Sequence, residues 1–186
     1  MSGLLLIAVL GAGAQTLKLL KTESNIEWTG KKIGGSHYGH ISLTSGTLEN
    51  KGNNYTGGEF IVDMKSITNE DLTDKDTNAK LIGHLKSNDF FGVEKYPTAR
   101  LVITKGIPST QENYVFTGNL TIKDKTNPVR FNVVKSVVNG RQIFKGKLVI
   151  DRSKFDIRYG SDSFFDNLGD NVIYDEFELV FTTVFK

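Results

Sequence analysis

A chain of 186 residues with a formal charge of +2 fits one domain of ordinary size. Its acids and bases are interspersed, which argues against a nucleic-acid surface, and the absence of cysteine excludes a disulfide framework, a thiolate metal site and a cysteine nucleophile. Twelve Phe, 19 Gly and frequent Thr and Val favour strands and turns over helices.

In chain order, Leu4-Leu5-Leu6-Ile7-Ala8-Val9-Leu10 is an apolar run followed by Gly11-Ala12-Gly13-Ala14-Gln15. The run is long enough for a secretory signal and too short for a membrane span, and Ala12-x-Ala14 has the spacing of a cleavage site. Residues 1–14 are read as a signal peptide remnant, with 17–186 as one barrel domain. A basic segment ahead of the run is missing, so a first strand or helix of the fold is the alternative. From there the spacing is two: Ile26 and Trp28, then Ile41 and Leu43, then Phe60, Val62 and Met64, with Gly57-Gly58 expected to turn the chain before the third strand. Between Thr68 and Phe91 the apolar residues shift to spacings of three, four and seven. Leu81, Ile82 and Leu85 fit one face of a short helix, with Asp74, Asp76 or Thr77 as N-cap. Alternation resumes at Ala99, Leu101 and Ile103, then Tyr114, Phe116, Leu120 and Ile122, then Val129, Phe131 and Val133, with Asn127-Pro128 expected as the turn between the last two. Asn139-Gly140 is a hairpin signal leading to Phe144, Leu148 and Ile150. A final strand turns Phe177, Leu179, Phe181 and Phe185 one way and Glu176, Glu178 and Thr182 the other. About eight antiparallel strands joined by tight turns predict an all-β chain closed into a barrel, since closure removes unpaired edges.

Candidate catalytic groups are few. His37-x-x-His40 in a strand points its two rings to opposite faces, and with His84 makes a poor zinc set, so no metal is expected. No G-x-S-x-G elbow is present, and no phosphate-cradling glycine motif. The pairs Asp74/Asp76 and Asp162/Asp166 read as solvated caps and turns, because acid–base work needs a buried carboxyl. What stands out is an inward face of Trp28, Phe60, Met64, Leu101, Phe116, Phe131, Phe144, Leu148, Phe177 and Phe181. Two readings are open: these side chains fill the barrel, or they line a hollow for an apolar ligand.

Five segments together resemble the YceI-like family. They are His37-Tyr38-Gly39-His40-Ile41; Phe60-Ile61-Val62-Asp63-Met64-Lys65-Ser66-Ile67; Gly83-His84-Leu85-Lys86-Ser87-Asn88-Asp89-Phe90-Phe91 leading to Lys95-Tyr96-Pro97-Thr98-Ala99; Gly118-Asn119-Leu120-Thr121-Ile122 with Pro128-Val129; and Asp151-Arg152-Ser153-Lys154-Phe155-Asp156-Ile157-Arg158-Tyr159-Gly160. Asp156 departs from the pattern, where glycine is expected, and puts the local backbone geometry in question. The resemblance implies a lipocalin-like antiparallel barrel with one short helical insertion, periplasmic or secreted. It implies a non-catalytic protein that binds, carries or stores a long-chain isoprenoid lipid, quinone-like or polyprenyl, with no other cofactor and no nucleic acid. A homodimer is the commonest closed assembly. The ligand would meet the inward face named above, together with His37, Leu81, Leu85, Phe90, Phe91 and Phe155. Rival readings are a protein working through its surface, and a histidine-dependent enzyme acting on the bound lipid.

Overall fold

Along Asn113–Ile122 burial alternates residue by residue, with Tyr114, Phe116, Gly118, Leu120 and Ile122 shielded and their neighbours more open. This is the period of a strand with one face on a core. The same rhythm repeats around the molecule, a computed structural model that describes residues 13–186. The apolar run 4–10 and Ala12 of the cleavage pattern lie outside the described residues.

The strands are β1 (Gln15–Lys18), β2 (Asn25–Lys32), β3 (Gly35–Lys51), β4 (Asn54–Asp63), β5 (Thr98–Pro108), β6 (Asn113–Ile122), β7 (Lys125–Val138), β8 (Arg141–Asp151) and β9 (Ile173–Phe185), with helix α1 (Lys75–Lys86) between β4 and β5. From β2 to β9 each strand pairs antiparallel with the next, and β9 returns to β2, so eight strands close an up-and-down barrel. β3 is long enough to pair with β2 through Gly35–Ile41 and with β1 through Thr47–Asn50 on the same edge, so β1 occupies the edge that the shorter β2 leaves free.

Turn chemistry agrees with the sequence at Asn139-Gly140, where both residues have positive φ, as a two-residue type I′ hairpin requires. It differs at two places. Gly57 and Gly58 lie inside β4, beside a register shift against β3, and the chain turns instead at Gly52-Asn53. Asn127 and Pro128 lie inside β7, facing Leu120 and Asn119, and the turn is Lys123-Asp124. β8 pairs with β7 only from Val133 onward, so Pro128 sits where one edge of β7 is free of a strand partner and a missing N–H is tolerated.

Asp74 caps α1, its carboxylate accepting from the Thr77 backbone N–H at 2.9 Å. Asp156 explains why glycine is expected there: it ends the 3-10 turn Arg152–Phe155 in the left-handed region, with φ 58° and ψ 36°. Asp156→Gly should therefore stabilise the fold by about 0.5 kcal/mol, net of the extra freedom glycine gives the unfolded chain. Asp156→Val should cost about 1–2 kcal/mol, and urea unfolding of the two variants checks the sign of each.

Candidate functional site

The inward faces do not fill the barrel evenly. One half is packed mostly by rings: Tyr55 contacts Tyr114, Phe116 and Phe144 at centroid distances of 5.3–5.4 Å, and Phe185 contacts Phe60 and Phe144 at 5.9 and 5.6 Å. Lys135 lies over the Tyr55 and Tyr114 rings, and burial pushes the Tyr55 phenol above its ordinary range. In the other half the side chains stop short of the axis and leave a cavity of about 160 Å³. Its walls are Ile26 and Trp28 of β2, Ile41 of β3, Val62 of β4, Leu120 and Ile122 of β6, Ile150 of β8, and Phe177 and Leu179 of β9.

The segment between β4 and β5 roofs this hollow. It brings Met64, Ile67, Leu81, His84, Leu85, Phe90 and Phe91 to the cavity. Thr68 crosses directly over Gly39, where a Cβ would stand 2.0 Å from the Thr68 carbonyl oxygen; only glycine allows that approach. The Trp28 indole N–H donates to the same carbonyl at 2.9 Å, so the ring faces the hollow with its one polar group already satisfied. Asn78 of α1 donates to the Asn69 and Leu72 carbonyls, and Asn69, itself buried, donates to the Tyr38 carbonyl of β3. The roof is thereby tied to the wall by directional bonds as well as by apolar contact.

Near the rim, His37 Nδ1 lies 2.7 Å from Asp71 Oδ2. Burial raises the Asp71 carboxyl, but the Tyr38 backbone N–H, His37 and Asn69 outweigh it and hold the group below the usual carboxylate range. A carboxyl with a lower pKa folded than unfolded adds stability above its unfolded value, near pH 4, and loses it as pH falls through the folded value. Asp71→Asn should therefore lower the midpoint of urea unfolding at neutral pH and leave it closer to wild type below pH 3. Unfolding curves at pH 7 and in acid check this.

A buried cation closes one side of the rim. Arg152, 2% exposed, donates from Nε to the Tyr174 carbonyl, from Nη1 to those of Ile157 and Tyr159, and from Nη2 to that of Ile173, at 2.7–3.2 Å. Asp175 Oδ1 stands 3.3 Å from Nη2, and its other oxygen accepts from the Ser163 hydroxyl. Arg152 also stacks over Phe90, 5.5 Å from the ring centroid, and borders the cavity. With N–H bonds to four carbonyls and a carboxylate beside it as an ion pair, this guanidinium pins the 157–175 segment against the barrel. The exposed Lys31, Lys32 and Tyr174 mark where the cavity meets solvent.

Of the residues expected to meet a ligand, Trp28, His37, Met64, Leu81, Leu85, Phe90, Phe91 and Phe177 line this cavity. Phe60, Phe116, Phe131, Phe144 and Phe181 surround a separate void of about 30 Å³ in the packed half. Leu101, Leu148 and Phe155 line neither. Leu148 and Phe155 are buried in the core and Leu101 packs against it, Leu101 opposite Phe60 and Leu148 opposite Leu179. His40 points to the other face of β3, as its spacing from His37 requires, while His84 reaches the cavity and stacks edge-on against Tyr159 at 4.3 Å. Among the described residues no group of three His, Asp or Glu could hold a metal ion, and no helix is long and apolar enough to cross a membrane. Wall residues that the sequence reading left out include Ile26, Ile41, Val62, Leu120, Ile150 and Leu179, together with Arg152. Most share the alternation of named neighbours, and Arg152 continues the inward series Leu148, Ile150.

Solved structures share this architecture. BcnA of Burkholderia cenocepacia superposes with a TM-score of 0.71 at 24% identity, covering 89% of this chain and 98% of that one. A polyisoprenoid binding domain from Saccharophagus degradans, implicated in plant cell wall breakdown, gives 0.64 at 12% identity over 91% and 97%. A mutant YceI protein of Campylobacter jejuni gives 0.60 at 17% over 78% and 81%. What these share with the chain is the fold. In sequence, the UPF0312 protein plu2095 of Photorhabdus laumondii is 45% identical over 58 residues, a stretch spanning 31% of this chain and 30% of that relative. The model of the YceI-like domain matches residues 17–185, and the chain belongs to that family.

Proposed function

We propose that this protein binds an isoprenoid lipid, quinone-like or polyprenyl, with its apolar chain in the half-barrel hollow, and carries or stores it without acting on it chemically. The observation that supports this most is the cavity itself: about 160 Å³ walled by Ile, Leu, Val, Phe and Trp side chains, inside a barrel whose other half is filled largely by aromatic rings. Apolar surface of this kind has no polar partner to offer except at the rim, so it favours a hydrocarbon over any hydrophilic solute. The name of the Saccharophagus structural neighbour, a polyisoprenoid binding domain, supports the choice of an isoprenoid. The ligand contacts proposed are those of the sequence reading that line the hollow, with Leu120, Ile122 and Leu179 added. The apolar run at 4–10 and the Ala12-x-Ala14 spacing support export, with the barrel working in an aqueous compartment outside the cytosol.

Native mass spectrometry of protein purified without detergent, followed by organic extraction, tests the proposal. An isoprenoid released in stoichiometric amount and chemically unchanged is the expected result. Protein that never yields a lipid, and does not take up added quinones saturably, would overturn it.

A further inference from the structure

The hollow stops within the barrel, next to the half packed with rings. Val62 and Leu179 line the cavity, and the next inward residues on the same strands, Phe60 and Phe181, belong to the packed half below. The Phe181 ring lies across the bare backbone of Gly146, where a Cβ would stand 2.7 Å from Cζ, and meets Phe131 edge-on at 5.9 Å. The Phe60 ring meets Phe185 edge-on at 5.9 Å. Neither ring is loose. The void that both rings line is about 30 Å³, too little for an isoprene unit.

Size decides what fits above. An apolar cavity of roughly 150 Å³ holds one benzene molecule, and this hollow is about 160 Å³. Resting on the reading of the hollow as an isoprenoid site, we propose that Phe60 and Phe181 act as a ruler: they admit about one to two isoprene units, and the rest of a longer chain leaves through the rim beside Lys31 and Lys32. These rings are specificity-determining residues, setting how much of a chain is buried.

Trp28 is the one tryptophan of the chain and lines the hollow, so its emission reports entry. Prenol, geraniol, farnesol and geranylgeraniol, which differ by one isoprene unit each, are titrated against wild type, Phe181→Ala and the milder Phe181→Leu. Each methylene buried contributes about fourfold in affinity. Wild-type affinity is expected to rise from prenol to geraniol and then level off. In Phe181→Ala the plateau moves out to farnesol, which gains at least about tenfold over wild type while prenol is nearly unchanged. Phe181→Leu shifts it the same way by less, and serves if the alanine variant fails to fold. Wild-type affinity that keeps climbing through geranylgeraniol, or a plateau that neither variant moves, would overturn the ruler while leaving the isoprenoid site standing. No saturable response to any of the four alcohols would overturn that site, and the ruler with it.

Discussion

Ala99→Phe is expected to weaken isoprenoid binding roughly a thousandfold while leaving the barrel folded. Ala99 is buried, faces Val62 across the β4–β5 pair and borders the hollow, so a phenyl ring at this position projects into space that holds no atoms. It takes the volume of about one isoprene unit. At about 0.8 kcal/mol per buried methylene, the displaced unit of five carbons is worth about 4 kcal/mol, or roughly a thousandfold in affinity. Stability should move little, because the ring fills a void without displacing packed side chains; any overpacking would cost about 1–3 kcal/mol. Trp28 emission titrated with geraniol, and urea unfolding of the same samples, separate the two effects. Unimpaired binding in a folded variant would show that the ligand sits elsewhere.

Arg152→Leu is expected to cost the most stability of any single change considered. Removing the guanidinium orphans the carbonyls of Ile157, Tyr159, Ile173 and Tyr174 and leaves the Asp175 carboxylate without its cationic neighbour. Breaking a buried pair from one side costs about 3–5 kcal/mol, a large part of the 5–15 kcal/mol that holds a typical domain. Arg152→Lys should recover little, since a single ammonium cannot reach carbonyls arrayed around a planar fork. Adding Asp175→Asn to Arg152→Leu should recover part of the loss, because it removes the stranded charge but not the orphaned carbonyls. Urea unfolding of the three variants checks this order. An Arg152→Leu protein within about 1 kcal/mol of wild type would mean that these bonds contribute no net stability.

The Arg152 site also shows what could and could not be read from the chain. Its inward direction was legible, since Leu148, Ile150 and Arg152 share one parity along β8 and into the turn that follows. Its partners were not, because they are main-chain carbonyls 5 to 22 residues away whose approach depends on the whole 157–175 segment. Alternation likewise located nearly every strand, as at Asn113–Ile122, because period-two burial is a local property. Turns were harder. Gly57-Gly58 and Asn127-Pro128 have the composition of turns but sit within strands, where a register shift and an edge free of a strand partner accommodate them.

Depth along the barrel was the least legible quantity. Phe177 and Phe181 occupy the same face of β9, four residues apart, yet the first lines the hollow and the second the small void of the packed half. Parity says which side of the sheet a residue takes; only the stagger of all eight strands says at what height it lies, and that is set by pairings distant in sequence. The same holds for Phe116, Phe131 and Phe144, inward as expected but in the packed half. The lipid reading was accessible mainly through the resemblance of the five segments, since alternation alone is equally consistent with a filled core.

The central claim is that an apolar chain enters the half-barrel hollow. A crystal structure grown with geraniol addresses it most directly. The account expects continuous density for the chain between Trp28, Leu120 and Phe177, ending above an unmoved Phe181. A well-ordered structure with that space empty or closed by its own side chains, and geraniol absent or bound on the outer surface, would contradict it.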